Sequence, residues 1–322
     1  MIEVKVMAMR LEANGIIGLE LRAADGSPLP PFAPGAHIDV HLPNAMTRQY
    51  SLCNDAADTS RYCLGVGRSS TSRGGSAYIH ETLRVGDSLT IGAPRALFGL
   101  SADAKRHRFI AGGIGITPIL AMIRWCVRHA LPWELHYCVR SRTQAAWLDE
   151  IRSLGGPVHV YADDEEATAL PRDVSVMMNG LLSDEHVYCC GPAGLMDAVS
   201  AHGERTGISP GNLHFERFAA PAPASASAAR SPDNDSFTVV LARQGLRCVV
   251  EPDESILECL ERHGVRAACS CREGLCRSCE VSLLAGEADH RDYVLGNDEQ
   301  KANQSLMICV SRARSRELVL DL

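Results

Sequence analysis

Four cysteines carry the clearest chemical pattern in the chain. Cys271, Cys276 and Cys279 follow one another with C-x4-C-x2-C spacing, and Cys309 lies further along the sequence. This is the ligand spacing of a plant-type [2Fe–2S] cluster, which holds one electron at a low potential of roughly −400 mV. Gly274, inside the loop, allows the backbone to wrap closely around an inorganic core. The pattern therefore predicts these four thiolates as metal ligands.

A structural zinc site is the alternative interpretation of the same cysteines. Such sites usually pair two C-x2-C knuckles or add histidines, and this stretch has a single C-x2-C. An extra cysteine, Cys269, lies two residues before Cys271. We rank Cys269 as a non-ligand because the spacing is complete without it, and an exchange of ligands with Cys269 stays the open alternative.

Composition excludes several classes of protein. With 322 residues the chain is expected to form two or three domains. A net charge of −7 argues against a nucleic-acid partner. The sequence has no apolar run of about 18 residues, so we expect no membrane span, and the N-terminal segment alternates like a strand and lacks the apolar core of a signal peptide. Thirteen cysteines then indicate reduced thiols and cluster ligands, which predicts a cytoplasmic protein.

Two folding patterns precede the cysteine loop. Residues 1–102 are rich in strand signals and turn residues, which predicts a small antiparallel β-barrel. Residues 103–218 alternate strands with helices, which predicts an α/β doubly wound parallel sheet. In this second region an apolar strand leads into a glycine turn, and we expect Thr117 to cap the following helix with Pro118 in its first position. Such a turn lets a pyrophosphate approach the helix N-terminus.

A stretch of Ala, Pro and Ser at residues 219–236 predicts a linker. The region after it, residues 237–322, begins with a hairpin pattern and a short helix from Ser255 to His263, and then reaches the cysteine loop. Cys248 and Cys259 fall in these elements and are predicted as core thiols.

Taken in this order, the motifs resemble the phthalate dioxygenase reductase family, and the resemblance covers nearly the whole chain. It implies an FMN-binding β-barrel domain at residues 1–102, an NAD-binding α/β domain at 103–218, the linker at 219–236, and an α+β plant-type ferredoxin domain of β-grasp fold at 237–322. One departure concerns Arg277, because the family often has glycine after its second ligand cysteine.

The resemblance also implies the flavin site, through an R-x-Y-S motif and a phosphate-cradling R-G-G-S turn. The matching residues are Arg48, Tyr50, Ser51, Arg73, Gly75 and Ser76. An aromatic side chain can pack on the isoalloxazine ring, while Arg and Ser can donate to a phosphate or a ring carbonyl. FMN rather than FAD rests on the resemblance alone.

For the pyridine nucleotide, the resemblance implies a glycine loop and a C-G-P segment that brings a cysteine near the nicotinamide. The matching residues are Gly112, Gly113, Gly115, Thr117, Cys190, Gly191 and Pro192. Glu216 and Phe218 match the family's E-x-F ending, in which the Phe lies over the flavin. The residues predicted to act in catalysis are Ser51, Cys190 and Phe218.

The predicted function follows from electron counting. NADH delivers two electrons as a hydride and the cluster accepts one, so a flavin is needed between them. By resemblance, the final acceptor is the Rieske centre of a separate non-haem iron oxygenase that acts on an aromatic or similar small molecule, and the reductase is expected to be a monomer. A reductase for a cytochrome P450 and a redox-sensing module without turnover stay open. Arg140 and Arg142 could bind a 2′-phosphate, but the family habit favours NADH.

We predict that Cys276→Ser destroys or strongly perturbs the cluster while sparing flavin binding, because Cys276 is the middle ligand of the close three. Iron content and the EPR spectrum of the reduced protein measure the outcome. An unchanged signal with full iron content would contradict the ligand assignment.

Overall fold

The computed structural model of the chain describes residues 1–43, 46–68, 74–165, 174–220 and 235–322. The chain divides into two compact units, Met1–Glu216 and Arg217–Leu322. Arg73 and most of the predicted linker lie outside the described residues.

The N-terminal part of the first unit is an antiparallel barrel. Its elements are β1 (Ile2–Ala13), β2 (Ile16–Ala23), β3 (His37–Leu42), β4 (Met46–Ser51), β5 (Tyr62–Gly67), α1 (Gly75–Glu81) and β6 (Ser88–Ile91). The strands pair in the order β4-β3-β6-β1-β2-β5, and a bridge between Leu52 and Leu64 joins the two ends. Val4 and Val6 of β1 are fully buried between exposed neighbours. This alternation gives the barrel an apolar interior, as the sequence predicted.

The second part of this unit is a parallel α/β layer. Its elements are β7 (Arg106–Gly112), α2 (Ile116–Arg128), β8 (Trp133–Val139), α3 (Leu148–Ser153), β9 (Val158–Ala162), α4 (Ser175–Met178), β10 (Glu185–Cys190), α5 (Ala193–Thr206) and β11 (Leu213–Glu216). The five strands are parallel, in the order β11-β10-β7-β8-β9. Phe109 and Ala111 of β7 pack on the side of α2, whereas Ile110 packs with Met196 and Val199 of α5 on the opposite side. The two cores confirm the predicted doubly wound arrangement.

The predicted cap at Thr117 is wrong. A 3-10 turn at Gly113–Gly115 leads directly into α2, so that Gly115 occupies the cap position and Thr117 lies inside the helix. The Thr117 hydroxyl donates to the carbonyl oxygen of Ile114 at 3.0 Å instead of accepting from a backbone N–H. The glycines allow the tight turn, which starts the helix earlier than the hydroxyl pattern suggested.

The second unit is a mixed sheet with one helix packed on it. Its elements are β12 (Phe237–Leu241), β13 (Leu246–Val250), α6 (Ile256–Arg262), β14 (Glu280–Ala285), β15 (Ala288–Asp289), α7 (Asn297–Ala302), β16 (Ser305–Met307), β17 (Arg312–Ala313) and β18 (Glu317–Leu320). The main sheet has the order β13-β12-β18-β14-β16. Ser255 and Glu258 form a capping box at the start of α6, which satisfies backbone N–H groups that the helix leaves unpaired. Cys248 and Cys259 are buried in this core, as predicted.

Gly115 marks a contact between backbones, and this contact can be tested. A Cβ atom at Gly115 would lie 2.1 Å from the carbonyl oxygen of Cys190, and no rotamer change relieves a collision with backbone. We expect Gly115→Ala to destabilise the first unit by about 3 kcal/mol or more. Thermal unfolding followed by tryptophan fluorescence measures this unit alone, because all three tryptophans lie in it.

The matched control is Gly194→Ala in α5, where a Cβ atom would meet nothing within 4 Å. It should change stability by less than about 1 kcal/mol. Equal unfolding temperatures for the two variants would refute the steric argument.

Candidate functional site

The four predicted cluster ligands come together in the second unit. Cys271, Cys276 and Cys279 lie on the loop between α6 and β14, and Cys309 follows β16. Cys276, Cys279 and Cys309 are 2%, 3% and 8% exposed, while Cys271 is half-buried. A local loop and one strand end thus place four thiols around one small space. All thirteen cysteines lie in the described ranges, and none of them is in a disulfide.

The polar surroundings of the Cys271 sulfur suit a thiolate. The Cys271 thiol interacts with the thiols of Cys276 and Cys309, and these interactions are the largest cause that lowers its pKa. The backbone N–H groups of Glu273 and Leu275 also donate to the Cys271 sulfur, at 3.3 and 3.4 Å. N–H donors to sulfur stabilise the charged form, so this donor set fits an iron–sulfur cluster.

Two positions of the loop, 274 and 277, have backbone conformations that favour glycine. Gly274 has φ of 70°, and a Cβ atom there would lie 2.7 Å from Cγ2 of Val310. Arg277 also has a left-handed φ of 56°, a conformation that glycine adopts without steric cost. This accounts for the glycine often found at that position in the family. Here the Arg277 side chain instead forms an ion pair with Glu299 at 2.5 Å.

Cys269 lies two residues before Cys271. It is half-buried and packs against the apolar core of the second unit. Burial is the largest cause that raises the pKa of its thiol. That Cys269 is not a ligand stays a prediction.

In the first unit, the predicted nucleotide residues meet at the carboxyl edge of the parallel sheet. A Cβ atom at Gly191 would lie 2.8 Å from Cα of Gly112, and one at Gly112 would lie 2.5 Å from Cδ of Pro192. The loops after β7 and β10 therefore touch through their backbones. Gly113, with φ of 53°, faces open space instead. This edge is where doubly wound sheets bind nucleotides, and the open backbone fits a pyrophosphate.

The two flavin motifs also meet, although they are separate in sequence. A Cβ atom at Gly75 would lie 2.6 Å from Cγ of Arg48, so the Arg48 side chain crosses the start of α1, where Ser76 follows. The Arg48 guanidinium donates to the carbonyl oxygen of Thr47 at 2.8 Å. Tyr50 packs on the barrel core, and burial raises its pKa to about 12, so the phenol is neutral.

Glu216, which the sequence matched to the E-x-F ending, had no predicted role. It ends β11, in register with Cys190 at the end of β10. The Ser51 hydroxyl donates to Oε2 of Glu216 at 3.5 Å, and Nδ1 of His37 lies 3.8 Å from Oε1. Burial raises the pKa of Glu216 to about 8. The signal that could have indicated a role is a carboxylate at the carboxyl end of a predicted strand.

The structure thus brings Ser51 and Cys190, two of the predicted catalytic residues, to either side of one carboxyl group. Cys190 is fully buried, and burial, followed by the proximity of Glu216, raises the pKa of its thiol well above the usual value. A neutral thiol at this place is not a nucleophile. Phe218, the third, is 45% exposed and lies beyond the end of the first unit.

Arg142, a candidate partner for a 2′-phosphate, is already engaged. Its Nε and Nη2 atoms donate to the two carboxylate oxygens of Glu165, each at 2.8 Å. Arg140 is exposed. A bidentate pair occupies the same fork that would bind a phosphate.

Comparison with known proteins gives two domain families and several relatives of similar length. Residues 239–314 match the family of 2Fe-2S iron-sulfur cluster binding domains, and residues 109–201 match the family of oxidoreductase NAD-binding domains. The phthalate 4,5-dioxygenase oxygenase reductase subunit of Pseudomonas putida is 41% identical over 323 residues, which cover 99% of this chain and 96% of the relative.

Two solved structures are similar over the whole chain. Phthalate dioxygenase reductase, described as a modular structure for electron transfer from pyridine nucleotides to [2Fe–2S], is 39% identical with a TM-score of 0.69, covering 99% of this chain and 97% of that one. An intact type IV self-sufficient cytochrome P450 monooxygenase is 38% identical with a TM-score of 0.88. The match covers 100% of this chain but 41% of that protein.

The chain belongs to the phthalate dioxygenase reductase family. It is an electron-transfer oxidoreductase with an NAD-binding domain and a [2Fe–2S] domain. The predictions of the family, the multidomain fold and the class of enzyme are confirmed. No helix among the described residues is long and apolar enough to span a membrane.

The buried carboxyl group gives a prediction about pH. The folded protein keeps Glu216 protonated up to a pKa of about 8, whereas the ordinary value is 4.5. Between these values the unfolded chain binds fewer protons, so stability falls as pH rises, by up to about 1.4 kcal/mol per pH unit. Glu216→Gln removes this slope.

We therefore expect Glu216→Gln to gain stability relative to the parent from about pH 5 to pH 8, with no further gain above. Urea unfolding followed by tryptophan fluorescence at several pH values measures the difference. Glu3→Gln, at an exposed position of β1, is the control and should follow the parent. A Glu216→Gln difference that does not change with pH would show that the group is ionised in the folded state.

Proposed function

We propose that the protein is the reductase component of a Rieske non-haem iron oxygenase system. It transfers electrons from NADH to FMN and the [2Fe–2S] cluster, and from there to the oxygenase. The observation that carries the proposal is the combination, in one chain, of an NAD-binding domain, a barrel with the flavin motifs, and a four-cysteine loop in a cluster-binding domain. When bound, FMN supplies the conversion from hydride to single electrons that a one-electron cluster requires.

In the barrel, the proposed ligands of the FMN phosphate are two arginines and a helix start. Arg48 and Arg73 supply positive charge, and Gly75 and Ser76 begin α1. The approach of Arg48 to Gly75 supports this assignment, since it brings a guanidinium to backbone N–H groups at a helix start. Tyr50 offers a neutral aromatic face for the ring system, because burial keeps its phenol protonated.

At the edge of the parallel sheet, the turn of Gly112, Gly113 and Gly115 is the proposed pyrophosphate site. Gly113 faces open space, whereas Gly112 and Gly115 pack against the C-G-P segment, and Thr117 fixes the first turn of the helix. The C-G-P segment, Cys190 to Pro192, closes the other side. Close packing of the two loops, which fixes the Gly112 and Gly191 backbones against each other, supports this role.

Around the reacting ends of the cofactors, Ser51 and Cys190 supply small, uncharged groups beside Glu216. The Glu216 carboxyl group holds its proton at neutral pH because it is buried, so it can donate a hydrogen bond as well as accept one from Ser51. Phe218 has the aromatic face that the family places over the flavin, and we assign it that role here. The engagement of Arg142 by Glu165 supports NADH over NADPH.

The partner is the Rieske oxygenase, and we propose that the reductase acts as a cytoplasmic monomer. Thirteen cysteines without a disulfide agree with a reducing compartment. Cys271, Cys276, Cys279 and Cys309 are the proposed cluster ligands. The organic substrate is chosen by the oxygenase and leaves no signature in this chain.

A second candidate function is electron delivery to a cytochrome P450. The observation in its favour is the similarity, at a TM-score of 0.88, to 41% of an intact type IV self-sufficient cytochrome P450 monooxygenase. Reconstitution with purified members of the two oxygenase classes separates the candidates. If NADH oxidation is coupled to substrate turnover only with the haem-containing partner, the protein is a reductase for a cytochrome P450.

The electron path can be tested by cutting the chain after residue 230. We expect a folded, yellow fragment 1–230 that oxidises NADH with ferricyanide, because that acceptor can take electrons from an exposed flavin. The fragment should lose most transfer to cytochrome c and all productive transfer to an oxygenase. The full-length Cys276→Ser variant is the matched control, since it lacks the cluster but keeps the whole chain, and it should show the same pattern.

An insoluble or flavin-free fragment would show instead that the first unit depends on the second to fold. A soluble fragment that keeps full coupling to the oxygenase would prove that the cluster is not the exit for electrons.

A further inference from the structure

A cluster of potential metal ligands lies in the parallel sheet, away from the sites described above. Glu134 and His136 are two residues apart on β8, so their side chains share one face of the sheet. His159 of the edge strand β9 is in register with His136. Glu134 and His159 are the second residues of their strands and His136 is the middle residue of β8, whereas the glycine loops follow the carboxyl ends. The cluster is therefore displaced from the nucleotide residues toward the amino-terminal ends of the strands.

Both imidazoles place Nε2 close to the same carboxylate oxygen. Oε1 of Glu134 lies 3.3 Å from Nε2 of His136 and 3.0 Å from Nε2 of His159. The three ligand atoms all lie within 4.8 Å of one another. Metal–ligand bonds of about 2.0–2.1 Å in a tetrahedral zinc site place neighbouring ligand atoms roughly 3.3 Å apart. The two nitrogen–oxygen distances are close to that value.

Nε2 of His136 is not used in a hydrogen bond. The His136 side chain is buried. The other ring nitrogen, Nδ1, lies 3.0 Å from the hydroxyl of Tyr161. A histidine that binds a metal usually makes such a hydrogen bond through its second nitrogen, which fixes the ring and leaves the first lone pair for the ion.

The second oxygen of Glu134 is held as well. Oε2 lies 3.3 Å from Nη2 of Arg108, which leaves Oε1 directed at the imidazoles. Nε of Arg108 also donates to Glu185 at 2.9 Å, so one guanidinium stands between two carboxylates. The local charge is negative on balance, which favours a cation.

Access from solvent permits binding. The side chain of His159 is 49% exposed, which gives an ion a path from solvent. Two histidines and one carboxylate leave further coordination positions for water.

We propose that Glu134, His136 and His159 form a binding site for a divalent transition-metal ion of the Zn²⁺ class. Nitrogen and carboxylate ligands suit Zn²⁺ and its borderline neighbours rather than Ca²⁺ or Mg²⁺, which prefer all-oxygen sites. The ion joins β9, the last strand of the sheet order, to β8. Its physical effect is to stabilise the edge of the NAD-binding sheet.

The test is equilibrium dialysis of the tag-free holoprotein against ZnCl₂, with zinc and iron measured in the same samples. We expect one zinc per chain beyond the iron of the cluster. Its affinity should fall at least about tenfold in His159→Ala, as it does when metal sites lose supporting residues. This variant should stay folded because its side chain is half exposed. Iron content and tryptophan emission equal to those of the parent would show that the variant is folded.

The matched control is His263→Ala. It alters the other group of potential ligands found among the described residues, Cys248, Cys259 and His263, and should leave zinc binding unchanged. X-ray absorption at the zinc edge should show nitrogen and oxygen neighbours at about 2.0–2.1 Å, whereas sulfur would appear at about 2.3 Å. Zinc should also raise the unfolding temperature of the parent but not that of His159→Ala.

Three results would overturn the proposal: no zinc bound by the parent, equal affinity in His159→Ala, or sulfur in the zinc shell. The first two would show that Glu134 and the histidines form a hydrogen-bonded group and no metal site. The third would place the ion on cysteines.

Discussion

The first unit depends on a contact between two backbones. Gly112 and Gly115 on one loop and Cys190 and Gly191 on the other approach so closely that no Cβ atom fits between them. Cys190 is buried at the end of its strand, and Glu216 lies in register with it on the next strand. Burial raises the pKa of Glu216. Packing at this edge of the sheet thus decides the charge of the groups at the proposed reaction site.

The surroundings of the ionisable groups differ between the two units. In the first unit these groups are buried, which keeps Cys190 and Glu216 in their neutral forms. The second directs backbone N–H groups at Cys271, which favours a charged thiolate. Cysteine serves in both places, and its surroundings decide whether it is an inert neutral group or a metal ligand. Residue type alone could not have made that distinction.

Much of the molecule could be predicted from local sequence. Spacing identified the cysteine loop, alternation of strands and helices identified the doubly wound sheet, and Ser255 marked the start of α6. Contacts between distant residues could not be predicted in this way. Ser51 meets Glu216 across 165 residues, and Arg48 of β4 reaches Gly75 at the start of α1. The Thr117 cap failed because a glycine turn changed where the helix begins. Local patterns specify elements, whereas the site depends on how those elements pack.

The left-handed backbone at Arg277 makes the cysteine loop sensitive to salt. A non-glycine residue in this conformation costs on the order of 1 kcal/mol, and here its side chain forms an ion pair with Glu299 that partly offsets the cost. A glycine would remove the strain, but it would also give the unfolded chain more conformational freedom to lose on folding. Because the Glu299 side chain is half exposed, dissolved salt screens the ion pair and leaves more of the strain uncompensated. The stability of the loop around the cysteines therefore falls as ionic strength rises.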